Sequence, residues 1–89
     1  MATPTENQRA AWAHELLEHP AWDELMVEIR REAIDARRVI FSPPGVTSDE
    51  QALASAFARG SLKVLSQVVK AIHERANKEI PPTTKALFE

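Results

Sequence analysis

The sequence lacks cysteine and tyrosine entirely and contains only two glycines among 89 residues. The absence of cysteine excludes disulfide bonds, thiolate metal ligands and a cysteine nucleophile, and it favours a reducing compartment such as the cytoplasm. The two glycines, Gly45 and Gly60, are isolated, so no glycine-rich phosphate-binding loop is present. Because no apolar run exceeds the four residues Ala10 to Ala13, we expect neither a signal peptide nor a membrane-spanning helix.

Length and charge restrict the protein further. A chain of 89 residues lies below the roughly 100 to 200 residues typical of one domain. We therefore expect a single helical domain over residues 1–80, followed by an arm over residues 81–89. Eleven basic and thirteen acidic residues give a formal charge of −2, which argues against non-specific binding of nucleic acid.

Residues that favour helices dominate the composition, and the sequence predicts an all-α fold. Prolines and capping signals divide it into helices at about residues 4–18, 20–41 and 48–77. Pro43-Pro44-Gly45 ends the second of these, since two consecutive prolines cannot continue a helix. The predicted architecture is a long antiparallel helical hairpin with an additional short N-terminal helix and an extended C-terminal arm.

The helix starts are predicted from capping patterns. For the first helix, Thr3 can act as the N-cap, with Pro4 in the first helical position and Glu6 closing a capping box. The dipeptide His19-Pro20 then produces either a kink or a new helix, because proline disfavours a helical residue before it; we expect a new helix.

A further capping box opens the third helix. It can be built by Ser48 with Gln51 or, in an alternative register, by Thr47 with Glu50. Within this helix, Ala52, Ala56 and Gly60 form a line of small residues at a spacing of four. Such a line either permits close approach of another backbone or consists merely of residues that a helix tolerates.

The apolar stripe of the third helix is wider than one partner helix requires. Leu62, Val64 and Val69 extend it, and a helical hairpin has only one seam in which to bury it. Chains near this size rarely gain more than about 3 to 5 kcal/mol from one core. The sequence therefore predicts an oligomer or a permanent complex with another protein. The candidate partner-binding residues are Trp12, Trp22, Leu53, Phe57, Leu65, Val68, Ile72, Leu87 and Phe88.

Two pairs among these candidates have an alternative interpretation. Trp12 and Trp22 flank the His19-Pro20 interruption and either fill the core at that corner or serve as exposed anchors. Leu87 and Phe88 form an apolar tip that can dock on the chain itself or on a partner.

No constellation of residues indicates catalysis. His14 and Glu18, and likewise Glu15 and His19, are four residues apart, the minimum geometry for two metal ligands, but a third ligand is missing. We therefore expect histidines that face solvent or cap helices. The serines lie in no nucleophile motif. The sequence predicts a protein that is not an enzyme and that uses no metal or cofactor.

Basic pairs at Arg30-Arg31 and Arg37-Arg38 could contact phosphates. Glu28 and Asp35 lie three or four residues from these arginines, so their carboxylates offset much of the positive charge within the same helix. Nucleic-acid binding is therefore the alternative rather than the leading hypothesis.

One short element has a counterpart elsewhere. Leu16, His19, Pro20 and Trp22 form a Leu-x-x-His-Pro-x-Trp pattern near the start, followed by a charged helix, a break and a second long helix. Residues 12–77 thereby resemble small uncharacterised helical proteins encoded among the head and packaging genes of tailed bacteriophages. The resemblance implies a virion component or assembly factor, found in the virion or, during assembly, in the host cytoplasm. It implies no catalytic residues.

These observations lead to one leading expectation about function. It is a protein-binding structural or assembly component of a phage particle, associated with the portal, the head-tail junction or the capsid, whose partners are itself or other particle proteins. The alternative is a small helical regulator or packaging accessory that associates with nucleic acid. A third class, an inhibitor of a host enzyme, is supported by no specific residue.

Overall fold

The computed structural model describes residue 3 and residues 5–89. Over these residues the chain forms helices and no strand, which confirms the predicted all-α class. The helices are α1 (Glu6–Glu18), α2 (Pro20–Phe41), α3 (Ser48–Arg75) and α4 (Pro82–Ala86).

Helix α1 begins two residues later than predicted. Thr5 is its N-cap: the hydroxyl accepts from the backbone N–H of Gln8, and the Gln8 side chain accepts from the backbone N–H of Thr5. The box predicted from Thr3 and Glu6 is therefore wrong, because threonine followed three residues later by glutamine satisfies the same donors further along the chain. The predicted role of Pro4 lies outside the described residues.

Helix α3 uses the alternative register, in which Thr47 accepts from the N–H of Glu50 at 3.1 Å and the Glu50 carboxylate accepts in return. It ends at Arg75 rather than at residue 77. Asn77 has a φ of 54°, in the left-handed region. The backbone N–H of Lys78 reaches the carbonyl of His73 and that of Asn77 reaches Glu74, so a Schellman motif terminates the helix.

The centre of the molecule is the pair formed by α2 and α3. Trp22 at the start of α2 contacts His73 near the end of α3, and Glu32 lies beside residues 61–65, so the two helices run in opposite directions. Small side chains at the seam allow the backbones to approach closely. The buried residues of the core are Ala13, Trp22, Ile29, Ala33, Ala36, Ala58, Val69, His73 and Ala76.

Helix α1 crosses only one end of this pair. Its one buried residue is Ala13, and Trp12 and Leu16 approach Ile72 and Arg75 of α3. At 1.5 Å per residue, the 13 residues of α1 span about 20 Å and the 28 residues of α3 about 42 Å. The N-terminal half of α3 therefore receives no cover from α1.

The C-terminal segment differs from the predicted extended arm. Residues Pro82–Ala86 form the short helix α4, because Pro82 occupies a position of the first turn where its missing N–H is not needed. Arg37 of α2 donates to the backbone oxygen of Ala86 at 2.7 Å and also to that of Glu89. The extended conformation predicted for residues 82–86 is wrong, and the segment is held against α2.

Candidate interaction surface

An apolar groove lies along the exposed side of α3. Its volume is about 700 Å³, and it opens widely to solvent. We refer to it as the α3 groove. It is lined by Glu32 of α2 and by Leu53, Ala56, Phe57, Gly60, Ser61, Val64 and Leu65 of α3.

The side chains of the groove are among the most exposed apolar groups of the chain. Leu53 is 60 % exposed, Phe57 70 % and Val64 58 %, and Val68, one turn beyond the groove, is half exposed. Their spacing of four, seven and four residues places them on one face of the helix. The core residues Ala58, Val69, His73 and Ala76 occupy a different face. The wide stripe of α3 thus divides into a buried face and an exposed face.

Gly60 lies in the middle of the exposed face. A Cβ atom built on it meets no atom of the described residues within 4 Å beyond its own helical turn, so no packing contact in the described structure requires a glycine there. Glycine inside a helix costs about 1 kcal/mol relative to alanine. Gly45, by contrast, has a φ of 131°, and a Cβ there would lie 2.7 Å from the Cβ of Glu50. The folding of the single chain therefore explains Gly45 and leaves Gly60 unexplained.

The structure distributes the predicted partner-binding residues over three environments. Leu53, Phe57 and Val68 are exposed together on α3, whereas Trp12 is exposed on α1. Trp22 is buried in the core and presents no surface to a partner. Four residues are half-buried: Leu65 at the α3 groove, Ile72 against α1, and Leu87 and Phe88 in the C-terminal segment.

Sequence reasoning gave no special role to several groove residues. The apolar pattern predicts only that Val64 widens the stripe, and it predicts no binding role for Ser61 or Glu32. Ala56 and Gly60 were visible as part of a line of small residues, but the line alone does not show which face of the helix stays exposed. Only the packing of α2, which buries the face of α3 that carries Ala58 and Val69, identifies the face that stays exposed.

The His-Pro-x-Trp element forms the corner between α1 and α2. His19 Nδ1 accepts from the backbone N–H of Ala21 at 3.0 Å and so caps α2, and Pro20 is the first residue of that helix. The Trp22 ring meets the buried ring of His73 edge to face, with centroids 6.0 Å apart and planes at 68°. The element therefore has a structural role in the described fold.

The histidines have structural partners rather than a shared site. His73 Nδ1 donates to the backbone carbonyl of Val69 at 2.8 Å inside the core. His14 Nδ1 lies 3.6 Å from a carboxylate oxygen of Glu18 on the surface of α1. Among the described residues, no group of three or more histidine, aspartate or glutamate side chains is placed to hold a metal ion.

The outer face of α2 carries a second, smaller cleft of about 290 Å³, lined by Val27, Ile34, Asp35 and three arginines. Arg31 lies 3.4 Å from Glu28, and Arg38 lies 3.7 Å from Asp35. Intrahelical partners therefore offset part of the positive charge on this face.

None of the helices over the described residues combines the length and apolarity needed to cross a membrane. Comparison of the chain with protein-family models, with curated proteins and with solved structures finds no match.

Proposed function

We propose that this chain is a non-enzymatic, protein-binding component of a phage particle, acting in its structure or its assembly at the portal, the head-tail junction or the capsid. The observation that carries the binding proposal is the exposed α3 groove. Leu53, Phe57 and Val64 present large apolar side chains to solvent on one face of the longest helix.

Burial of this face provides the free energy for association. Fully burying a valine, leucine or phenylalanine side chain is worth about 1.5 to 3 kcal/mol. Contiguous exposed apolar surface of this kind is typical of interaction sites, whereas single exposed apolar residues such as Val46 are ordinary. The groove therefore supports protein binding more directly than any polar feature of the chain supports chemistry.

The assignment to a phage particle has separate support. It rests on the resemblance of Leu16, His19, Pro20 and Trp22 to the element found in small proteins of phage head and packaging gene clusters. Proteins in particles occur in many copies, and symmetric shells and rings provide the covering neighbours that an exposed helix face needs.

The arginine-lined cleft on α2 is the feature that a nucleic-acid regulator would use. Arg31 and Arg38 have carboxylate partners on the same helix, and the formal charge of the chain is negative. Phosphate binding would have to compete with these pairs. We therefore place protein binding first.

The proposal is tested with a charge placed in the groove. We expect Phe57→Glu to leave the chain folded, because this side chain is 70 % exposed, and to remove it from purified phage particles. The measurement is quantitative mass spectrometry of particles from an infected culture, with circular dichroism as the test of folding. Val46→Glu is the matched control, since Val46 is 95 % exposed and lies outside the groove. Recovery of Phe57→Glu at the wild-type copy number would contradict the proposal.

A further inference from the structure

We infer that the occupant of the α3 groove is the same groove of a second copy of this chain. The two α3 helices run antiparallel, related by a two-fold axis that passes between Gly60 and Ser61 of both copies. This inference rests on the proposed function, because it names the first partner of the protein-binding face.

The first support is the distribution of large and small side chains along the groove. Reflection of the numbering about the midpoint between residues 60 and 61 pairs Leu53 with Val68, Phe57 with Val64, Ala56 with Leu65 and Gly60 with Ser61. The pairs Leu53–Val68 and Phe57–Val64 place bulky side chains on both sides of the small central pair Gly60–Ser61, and the pair Ala56–Leu65 sets a small side chain opposite a large one. Two-fold contacts are reciprocal: where Leu53 of one copy meets Val68 of the other, Val68 of the first copy meets Leu53 of the second.

Gly60 provides the second support. Among the described residues, no contact requires its missing side chain, and the space around a Cβ at this position is open. A residue without a side chain at the crossing point lets a second helix approach closely, as small residues do where helices pack together. The antiparallel pair thus accounts for a glycine that the fold of the single chain leaves unexplained.

The charges at the ends of α3 favour the same orientation. The first turn carries Asp49 and Glu50, and the last turn carries Arg75 beside Glu74, whose charge is offset by Lys70 at 3.9 Å. In the antiparallel pair the acidic start of each helix lies beside the basic end of its partner, and the two helix dipoles oppose each other. A parallel pair would instead bring the two acidic turns together.

The incomplete cover of α3 provides the place for the partner. Helix α1 reaches Ile72 and Arg75 but not the half of α3 that holds Leu53 and Phe57. The two-fold axis sets the C-terminal half of the partner's α3 against this uncovered half. In the inferred dimer, each copy therefore covers the half of its partner's α3 that the partner's own α1 leaves exposed.

Cross-linking tests the register, and the chain has no natural cysteine to interfere. We expect Ser61→Cys to cross-link to itself through a short bis-maleimide. In the proposed register, Leu53 of one copy lies about 22 Å along the helix from Leu53 of the other. Leu53→Cys alone and Val68→Cys alone should therefore give no dimer, whereas a mixture of the two should cross-link. Self-linking at positions 53 and 68 would indicate a parallel pair and would overturn the inference.

A second variant tests the close approach. We expect Gly60→Leu to raise the dimer dissociation constant, measured by analytical ultracentrifugation, by about tenfold or more, because the added side chain overpacks the crossing point. The monomer should stay folded, since the space around Gly60 is open. If the copies associated through non-specific apolar contact, the added leucine would instead lower the dimer dissociation constant. That result would contradict the inference.

The two proposals fail in different ways. A wild-type chain that is monomeric and does not cross-link, while Phe57→Glu still removes it from particles, overturns the dimer and leaves particle binding in place. A dimer in the proposed register, together with Phe57→Glu chains that still enter particles, overturns particle binding through the groove and leaves the dimer in place.

Discussion

Trp12 and Trp22 show how position in the fold separates two identical residues. Trp22 is 6 % exposed and packs against His73, whereas Trp12 is 54 % exposed on a helix with a single buried residue. Both lie near the His19-Pro20 corner in the sequence. Only Trp22 lies in the seam between α2 and α3, so the two should contribute very differently to stability.

We predict that Trp22→Ala unfolds the chain or leaves it partly folded. Truncating a buried tryptophan costs about 3 to 5 kcal/mol, which is comparable to the whole stability of a chain of this size. Trp12→Ala should cost about 1 kcal/mol or less, because most of its surface is already hydrated. Urea denaturation followed by circular dichroism measures both. Equal losses of stability for the two variants would show that α1 packs more firmly than its burial indicates.

At the scale of elements, the C-terminal segment is joined to α2 by hydrogen bonds from Arg37 and lies beside α3 through Phe88. Ile80, Leu87 and Phe88 are only half-buried, and α4 has no buried residue. The Arg37 guanidinium donates to the backbone oxygens of Ala86 and Glu89, from the helix that lies at the centre of the fold. Arg38, the next residue, points outward and pairs with Asp35.

We predict that Arg37→Gln releases the C-terminal segment and leaves the rest of the fold intact. A hydrogen bond of this kind contributes about 1 kcal/mol, so tryptic cleavage after Lys85 should become about fivefold faster. Arg38→Gln is the matched control and should leave this cleavage unchanged. If both variants are cleaved at the wild-type rate, Ile80, Leu87 and Phe88 alone hold the segment in place.

At the scale of the whole molecule, the inferred dimer makes the charge of Glu32 relevant to association. Glu32 borders the α3 groove from α2, close to the level of the proposed axis. The proposed two-fold axis is perpendicular to both α3 helices. It therefore keeps the two copies of Glu32 on the same side of the plane that contains the two helix axes. If the inferred dimer forms, like charge on the two carboxylates opposes it.

We predict that Glu32→Gln lowers the dimer dissociation constant by about twofold to threefold at low ionic strength, because exposed like charges interact by only a few tenths of a kcal/mol. The gain should shrink as salt is added, since ions screen the repulsion. Glu79→Gln is the control, because it removes the same charge beyond the end of α3, far from the axis. Ultracentrifugation across a salt series measures both. A weaker dimer for Glu32→Gln would mean that the carboxylate has a favourable partner across the interface.

Local signals predicted the long helices closely. The range 20–41 coincides with α2, because proline, a capping residue and a Pro-Pro-Gly stop act within a few residues of each helix end. The errors in the predicted helix ends arose where two nearby residues could play the same local role or where one residue could play two roles. Thr5 with Gln8 replaced Thr3 with Glu6 as the cap of α1, and a proline interpreted only as a helix breaker began α4 instead.

The sequence by itself determined the all-α class, the apolar excess of α3 and the lack of cysteine, since composition and periodicity depend on residues near one another in the chain. Only the tertiary structure decided which part of that apolar stripe is buried. The seam between α2 and α3 takes Val69 and His73, and α1 is too short to cover Leu53 and Phe57. Burial depends on which helices pack together and on how far each one extends. For this reason the face of α3 around Gly60 stays exposed.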